Sequence, residues 1–285
     1  MSSKNSKMKK FIGFIVCLFL VSQYAFSEKT DTLEVYSPSM KKNIKVVVVL
    51  PDSYDSGKSY PVFYLLHGYS GNYKNWTDYP STGALADLHQ LIIVCPDGGF
   101  SSWYFDSPID STRKYETFIS KELIKWVDEN YRTIAERGGR AISGLSMGGH
   151  GGLFLGFRHQ DVFGACGSMS GGVDIRPFPN NWEMSSVLGQ QSKYPENWEK
   201  YTVMNQLHLL TPNSIKIIFD CGTDDFFYSV NVKLHEELLY RNIPHEFISR
   251  PGTHNWPYWN NAIKYQALFF SDFFNSAQRN RNFSR

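Results

Sequence analysis

Ser146 lies at the centre of the pentapeptide Gly144-Leu-Ser-Met-Gly148, which has the pattern G-x-S-x-G. The sequence predicts a short strand before it, at 140–143, and a helix after it, at 148–158. A serine between a strand and a helix occupies a sharp, strained turn that exposes its hydroxyl group, and the flanking glycines avoid a collision there. The pattern therefore predicts a nucleophilic serine that attacks acyl carbon atoms.

A serine hydroxyl is a weak nucleophile, so it needs a general base and a carboxylate that orients the base. In hydrolases with this turn, the acid and then the histidine follow the serine along the chain. The loop after the predicted strand 215–220 offers Asp224 and Asp225, while Asp220 keeps strand register and is predicted to be structural. His254 follows the last predicted strand in a glycine-containing loop, and we expect it to be the base.

Attack by the serine also creates an oxyanion, which needs preorganised hydrogen-bond donors. We expect one donor to be the backbone N–H of Met147, directly after the serine. The second should come from the loop 67–71 after an early strand, and the N–H of Tyr69 is the best placed group in that loop. His67, in the same loop, is predicted to support its structure.

The order of predicted elements indicates an α/β fold. Two strands at 32–36 and 43–50 look antiparallel, and strands and helices alternate from residue 61 onward. This order predicts a mostly parallel sheet covered by helices on both faces, with antiparallel strands at the start. Segment 171–213 is rich in Pro, Asn and Trp with weak periodicity, and we expect an excursion over the carboxyl edge of the sheet, where ligands bind.

The first 27 residues have the composition of a secretory signal peptide. Four lysines precede an apolar run at 11–21, and Ala25 and Ser27 stand at the cleavage positions. We expect a single catalytic domain over 28–285 and a secreted or periplasmic location. Removal of the four lysines from 29 basic residues leaves 25 against 27 acidic ones, a net charge of −2. That balance gives no attraction to nucleic acid or, after signal cleavage, to an anionic membrane.

Three cysteines remain after residue 27, namely Cys95, Cys166 and Cys221. Their spacing matches no metal-binding or redox motif, and each ends or follows an apolar run, so they are predicted to be small buried side chains. We expect no metal ion and no other cofactor.

Several short motifs occur together in one order along most of the chain. At these residues the sequence resembles the "putative esterase" family of α/β-hydrolases, which includes feruloyl and acetyl-xylan esterases of carbohydrate esterase family 1, S-formylglutathione hydrolase (esterase D) and the mycolyltransferases. The resemblance implies an α/β-hydrolase fold and a Ser-His-Asp triad. The family pattern G-x-x-D places the acid at Asp225, although Asp224 departs from the pattern. The motifs are Leu65-Leu-His-Gly68, Trp103-Tyr-Phe-Asp-Ser-Pro108, Tyr115-Glu-Thr-Phe-Ile119, 140–149, Gly222-Thr-Asp-Asp225 and Gly252-Thr-His254.

The family includes several substrate classes, and the aromatic residues of this sequence favour some of these classes over others. Trp103, Trp182 and Trp256 are predicted to line a substrate-binding mouth, with Tyr104, Phe105 and Trp198 nearby. Such a mouth suits sugars or a feruloyl ring. We expect a small ester or an esterified polysaccharide as substrate, most simply an acetyl or feruloyl ester of plant polysaccharide. The alternatives are a broad short-chain acyl esterase, a thioesterase similar to S-formylglutathione hydrolase, or an acyltransferase. Export argues against the thioesterase, whose substrate is intracellular.

Overall fold

The structure of the protein is a computed structural model that describes residues 29–55, 57–78 and 82–283. The predicted signal peptide at 1–27 lies outside these residues, as do a few positions of the predicted domain 28–285. Within the described ranges, no helix combines the length and the apolar character needed to cross a membrane.

The described residues form one eight-stranded sheet in the order β1-β2-β4-β3-β5-β6-β7-β8. β1 pairs with β2 and β2 with β4 in antiparallel register, while the remaining neighbours are parallel. This arrangement confirms the predicted mostly parallel sheet with antiparallel strands at its start. The strands are β1 (Lys29–Ser37), β2 (Lys42–Leu50), β3 (Val62–Leu66), β4 (Ile92–Pro96), β5 (Arg140–Gly144), β6 (Ala165–Met169), β7 (Lys216–Gly222) and β8 (Glu246–Arg250).

The central strands are continuous apolar runs because both faces of the sheet are covered. In β3, Phe63 and Leu65 pack on one face, whereas Tyr64 and Leu66 pack on the other, and all four are fully buried. Successive side chains of a strand point to opposite faces, so a strand between two helical layers needs apolar residues at every position. The cysteines follow the same rule, since Cys95, Cys166 and Cys221 are buried in β4, β6 and β7.

Helices cover both faces of the sheet, and their main difference from prediction is in length and regularity. The predicted helix at 117–131 is divided by a π-helical segment, and the predicted helix at 261–275 extends in both directions. α1, which the sequence did not predict, is only eight residues long and buries Leu85 and Ala86. The helices are α1 (Thr82–His89), α2 (Tyr115–Thr117), a π-helix (Phe118–Leu123), α3 (Ile124–Asn130), a 3-10 turn (Arg137–Gly139), α4 (Met147–Arg158), α5 (Ser185–Leu188), α6 (Pro195–Lys200), a 3-10 helix (Val203–Leu209), α7 (Tyr228–Tyr240) and α8 (Trp256–Phe283).

The excursion between β6 and β7 has a buried interior of its own. Trp198 on α6 is 1% exposed, and its indole N–H donates a hydrogen bond to the carbonyl of Gly189 at 3.0 Å. Tyr201 is also buried. Trp198, which the sequence predicted to lie near the substrate-binding mouth, is therefore a core residue of this segment, and so is Tyr201. Trp198 lies on the short helix α6, and Tyr201 lies between α6 and the 3-10 helix that follows.

Candidate active site

Ser146 is held on the turn between β5 and α4 in an unusual backbone conformation. Its φ is 55° and its ψ is −115°, a region that serine rarely adopts. The N–H of Ser146 donates to the carbonyl of Met169 at 2.9 Å, and its own carbonyl accepts from the N–H of His150 at 3.0 Å. These hydrogen bonds from β6 and α4 hold the strained turn in place.

The glycines on either side of Ser146 permit the close approach of the turn to β3. A Cβ atom at Gly144 or at Gly148 would lie 2.5 Å from the backbone oxygen of Leu66, the last residue of β3. Because the contacted atom belongs to the backbone, neither β3 nor the turn at Ser146 could move aside easily for the added carbon. The loop that follows β3, which contains Gly68 and Tyr69, therefore lies directly beside Ser146.

Ser146, His254 and Asp225 form a continuous hydrogen-bonded chain. Nε2 of His254 is 2.9 Å from Oγ of Ser146, and Nδ1 of His254 is 2.8 Å from Oδ2 of Asp225. An ionised carboxylate can only accept, so Nδ1 carries the proton and Nε2 is left to accept one from the hydroxyl group. The histidine is thus in the tautomer that a general base requires.

The structure also separates the two adjacent candidate acids. The Asp225 carboxyl group is fully buried, and its Oδ1 accepts a hydrogen bond from the N–H of Phe227 at 2.8 Å. Asp224 is exposed, and its backbone N–H donates to the carbonyl of Gly252 at 3.0 Å. Because β7 and β8 are parallel neighbours, the loops after them meet, and it is Asp225 that reaches His254.

Asp220 lies within β7 and faces α8 instead of the serine. Its Oδ2 accepts a hydrogen bond from the amide of Gln266 at 2.9 Å. Burial is the largest influence on this carboxyl group and raises its pKa from 3.8 to about 6, although Gln266 and Arg250 act in the opposite direction. These contacts fit the predicted structural role of Asp220.

One predicted oxyanion donor, Met147, directly follows Ser146, and the other, Tyr69, lines the same cleft as Ser146. Met147 is the first residue of α4, and Tyr69 lines a cleft of about 610 Å³ that also exposes Ser146 and His254. Among the described residues, neither backbone N–H donates to another protein group. The first N–H groups of a helix have no partner within it and lie at its positive end, so the N–H of Met147 is available to a ligand oxygen.

His67 fixes the loop that carries Tyr69. Its Nε2 accepts a hydrogen bond from the N–H of Gly98 at 2.7 Å, and its Nδ1 lies 2.7 Å from the carbonyl of Gly68. The hydroxyl group of Tyr104 donates to the His67 carbonyl at 3.0 Å. These three contacts are consistent with the structural role predicted for His67.

Aromatic rings surround the catalytic histidine candidate. Trp182 and Trp256 line the cleft, as the sequence predicted, and Phe226 and Trp259 line it as well. The Phe226 ring is centred 4.3 Å from the His254 ring, and the Trp259 ring is centred 5.0 Å from it. Sequence reasoning missed these two, although Phe226 directly follows the acid and could have been found from that position.

The structure places Trp103 in the core and not in the lining of the cleft. Its side chain is 1% exposed and packs against His150, with ring centres 5.4 Å apart, and behind Trp182, with centres 5.9 Å apart. Tyr104 and Phe105 are fully buried in the same cluster. The expectation that Trp103 lines the mouth is therefore wrong, because its buried ring packs against Trp182.

His150 connects the serine helix to the excursion. Its Nδ1 lies 3.1 Å from the carbonyl of Trp103, and its Nε2 lies 2.9 Å from the carbonyl of Tyr201. Complete burial lowers the pKa of His150 to about 4. The contacts with the two carbonyl groups raise this pKa in part, and the ring packs against Trp103.

The chain is similar to several known esterases. The model of the family described as "Putative esterase" matches residues 37–270. An esterase of Mycobacterium tuberculosis is 40% identical over 141 residues, which span 47% of this chain but only 30% of that protein. An acetyl esterase of Caldicellulosiruptor saccharolyticus is 24% identical over 257 residues, covering 81% of this chain and 94% of that protein. A solved ferulic acid esterase is 31% identical with a TM-score of 0.73, covering 87% of this chain and 98% of the other.

Proposed function

The chain belongs to the esterase family whose model spans residues 37–270, and we propose that it is a secreted serine esterase acting on acetyl or feruloyl esters of plant polysaccharide. The observation that carries the proposal is the hydrogen-bonded chain from Ser146 through His254 to Asp225. A serine, a correctly tautomeric histidine and a buried carboxylate in this order are the machinery of acyl transfer through a covalent intermediate.

In the first half of the reaction, Oγ of Ser146 attacks the ester carbonyl carbon while Nε2 of His254 takes the hydroxyl proton. The resulting oxyanion accepts hydrogen bonds from the N–H groups of Met147 and Tyr69, each worth about 3–4 kcal/mol. When the carbon–oxygen bond of the ester breaks, His254 passes its proton to the leaving alcohol oxygen. The acyl group then remains on Ser146.

In the second half, water replaces the alcohol. His254 takes a proton from the water molecule as its oxygen attacks the acyl carbon, and the same two N–H groups stabilise the second oxyanion. Collapse of that intermediate returns the proton to Oγ of Ser146 and releases the carboxylic acid. Asp225 keeps the imidazole oriented and stabilises its cationic form in both halves.

The surroundings of the triad support an ester with a planar or sugar-like component. Trp182, Phe226 and Trp256 offer ring faces within one cleft, and flat groups such as a feruloyl ring or the apolar face of a sugar pack well on such faces. The likeness to a ferulic acid esterase and to an acetyl esterase favours these two acyl groups. The basic and apolar pattern of residues 1–27 supports secretion.

A substrate panel tests the proposal. The purified mature protein would be assayed on p-nitrophenyl acetate, butyrate and octanoate, methyl ferulate and acetylated xylan, with products separated by chromatography. We expect release of free acetic or ferulic acid and poor turnover of octanoate. Turnover of octanoate above the acetyl and feruloyl substrates would contradict the proposed substrate class. Transfer of the acyl group to an added sugar in preference to water would contradict hydrolysis.

A further inference from the structure

A second cavity, of about 340 Å³, opens beside the catalytic cleft. Its walls come from the start of β2, from the loop after β4, from the segment before α2 and from the excursion. Its lining includes Lys42, Phe100, Arg113, Tyr115 and Glu183. No step proposed for the triad uses any of them.

The cavity and the catalytic cleft have neighbouring lining residues at two places. Tyr69 lines the cleft and Phe100 lines the cavity, and their rings pack edge to face with centres 4.9 Å apart. The N–H of Ser70, which lines the cleft, donates to the Phe100 carbonyl at 2.8 Å. At this place the cleft and the cavity are therefore separated by the packed rings of Tyr69 and Phe100.

The excursion is the second place where lining residues of the cleft and the cavity are neighbours. Trp182 lines the cleft, and the next residue, Glu183, lines the cavity. Both have positive φ, at 50° and 53°. Two consecutive side chains in this left-handed conformation carry a strain of about 1–3 kcal/mol each, which persists only where the surrounding structure imposes it. These two consecutive residues line the cleft and the cavity respectively.

The cavity lining combines donors, an acceptor and ring faces. Lys42 supplies an ammonium donor that lies 5.1 Å above the Tyr115 ring, and Arg113 supplies guanidinium donors. Glu183 supplies an exposed carboxylate acceptor, and the Phe100 side chain is 54% exposed. A hydroxyl-rich ring needs this mixture, because each hydroxyl group both donates and accepts while the C–H face packs on an aromatic ring.

The charge balance argues against a purely anionic ligand. Arg113 is already paired with Asp110, with Nε 3.0 Å from Oδ2, and the carboxylate of Glu183 also faces the cavity. An anion placed here would meet the Lys42 ammonium group but also the Glu183 carboxylate. A neutral ligand with many hydroxyl groups can satisfy both.

We propose that this cavity binds the glycosyl unit whose hydroxyl group carries the ester, while the acyl group occupies the cleft at Ser146. The proposal rests on the proposed esterase function and deepens it, since it assigns a specific site to the sugar on the alcohol side of the scissile bond. Lys42 and Glu183 would hydrogen-bond the sugar hydroxyl groups, and Phe100 would pack against its face.

Pairs of substrates with the same acyl group and different alcohols test the proposal. We would compare 5-O-feruloyl arabinose with methyl ferulate, and acetylated xylobiose with ethyl acetate, in the wild type and in Lys42→Met and Glu183→Gln. We expect each variant to lower kcat/KM on the sugar ester relative to the simple ester by about fivefold, as for loss of one hydrogen bond. Lys125→Met is the matched control, because Lys125 is exposed on α3 and forms an ion pair with Glu129.

The outcomes separate this proposal from the esterase function. If simple and sugar esters are hydrolysed but the ratio stays unchanged in both variants, the cavity is not a sugar site and the esterase function stands. If no ester is hydrolysed, the proposed function fails. In that case, saturation-transfer NMR with xylobiose still decides the cavity: a signal in the wild type that weakens in Lys42→Met supports it, and no signal overturns it.

Discussion

Asp225 and His254 are joined by a contact of 2.8 Å between Oδ2 and Nδ1, and the carboxylate in this contact is completely shielded from water. Asp224, one residue earlier, is exposed. Asp224 and Asp225 are adjacent in the sequence, and the turn after β7 determines which of their side chains reaches His254.

This contact predicts opposite consequences for two matched substitutions. Asp225→Asn should lower kcat on p-nitrophenyl acetate by about four orders of magnitude, because an amide would favour the wrong imidazole tautomer. Asp224→Asn should change kcat less than threefold, since its side chain does not contact the histidine. Steady-state kinetics of both variants, with circular dichroism to confirm folding, provides the measurement. A larger loss in Asp224→Asn would assign the acid to that residue.

The approach of the serine turn to β3 predicts a stability effect. Gly148→Ala would place a Cβ atom 2.5 Å from the Leu66 carbonyl oxygen, and backbone on both sides must move. We expect a loss of about 1–3 kcal/mol in the free energy of unfolding, measured by urea denaturation. Gly138→Ala is the comparison, because its nearest atom is the end of the flexible Glu136 side chain at 3.3 Å. Equal stability of the two variants would contradict the steric explanation.

The two tryptophans of the excursion should behave differently. Trp182→Ala removes a ring from the cleft and should lower kcat/KM on methyl ferulate relative to p-nitrophenyl acetate by about threefold to tenfold. Trp198→Ala should leave that ratio unchanged and cost about 3–5 kcal/mol of stability, because Trp198 is 1% exposed. Kinetics on both esters and thermal unfolding would be compared. An unchanged ratio in Trp182→Ala would assign that ring to packing.

Asp220 should make stability depend on pH in the acid range. Its pKa is raised from 3.8 to about 6, so the folded state binds its proton more tightly than the unfolded state does. Its contribution is fully present below about pH 4 and is lost as pH rises through 6, a change of about 3 kcal/mol. The free energy of unfolding of the wild type should therefore decrease between pH 4 and 6.5. This decrease should be absent in Asp220→Asn and retained in Asp224→Asn. An identical pH profile in wild type and Asp220→Asn would contradict this account.

Much of the fold was predictable because its signals are local. The apolar runs of β3 and β4 and the pattern around Ser146 each identify an element within a few residues. α1 was missed because eight residues are too few to show a clear helical periodicity.

The site was only partly predictable, because burial depends on contacts distant in sequence. Ser146 and His254 follow from motif and chain order, but the choice of Asp225 over Asp224 needed a family pattern. Trp103 and Trp182 look equivalent in sequence, yet one packs below the other. Trp103 contacts His150, which is 47 residues away in the sequence and lies 3.1 Å from the Trp103 carbonyl. No local pattern contains that information.

The central claim is that Ser146 is the covalent nucleophile, and active-site labelling tests it most directly. The wild type and Ser146→Ala would be treated with a fluorophosphonate probe, and the modified peptide would be identified by mass spectrometry. We predict one label on the peptide containing Ser146 in the wild type and none in the variant, because the 2.9 Å contact with His254 activates only that hydroxyl group. Labelling of Ser146→Ala at the wild-type rate would contradict the account.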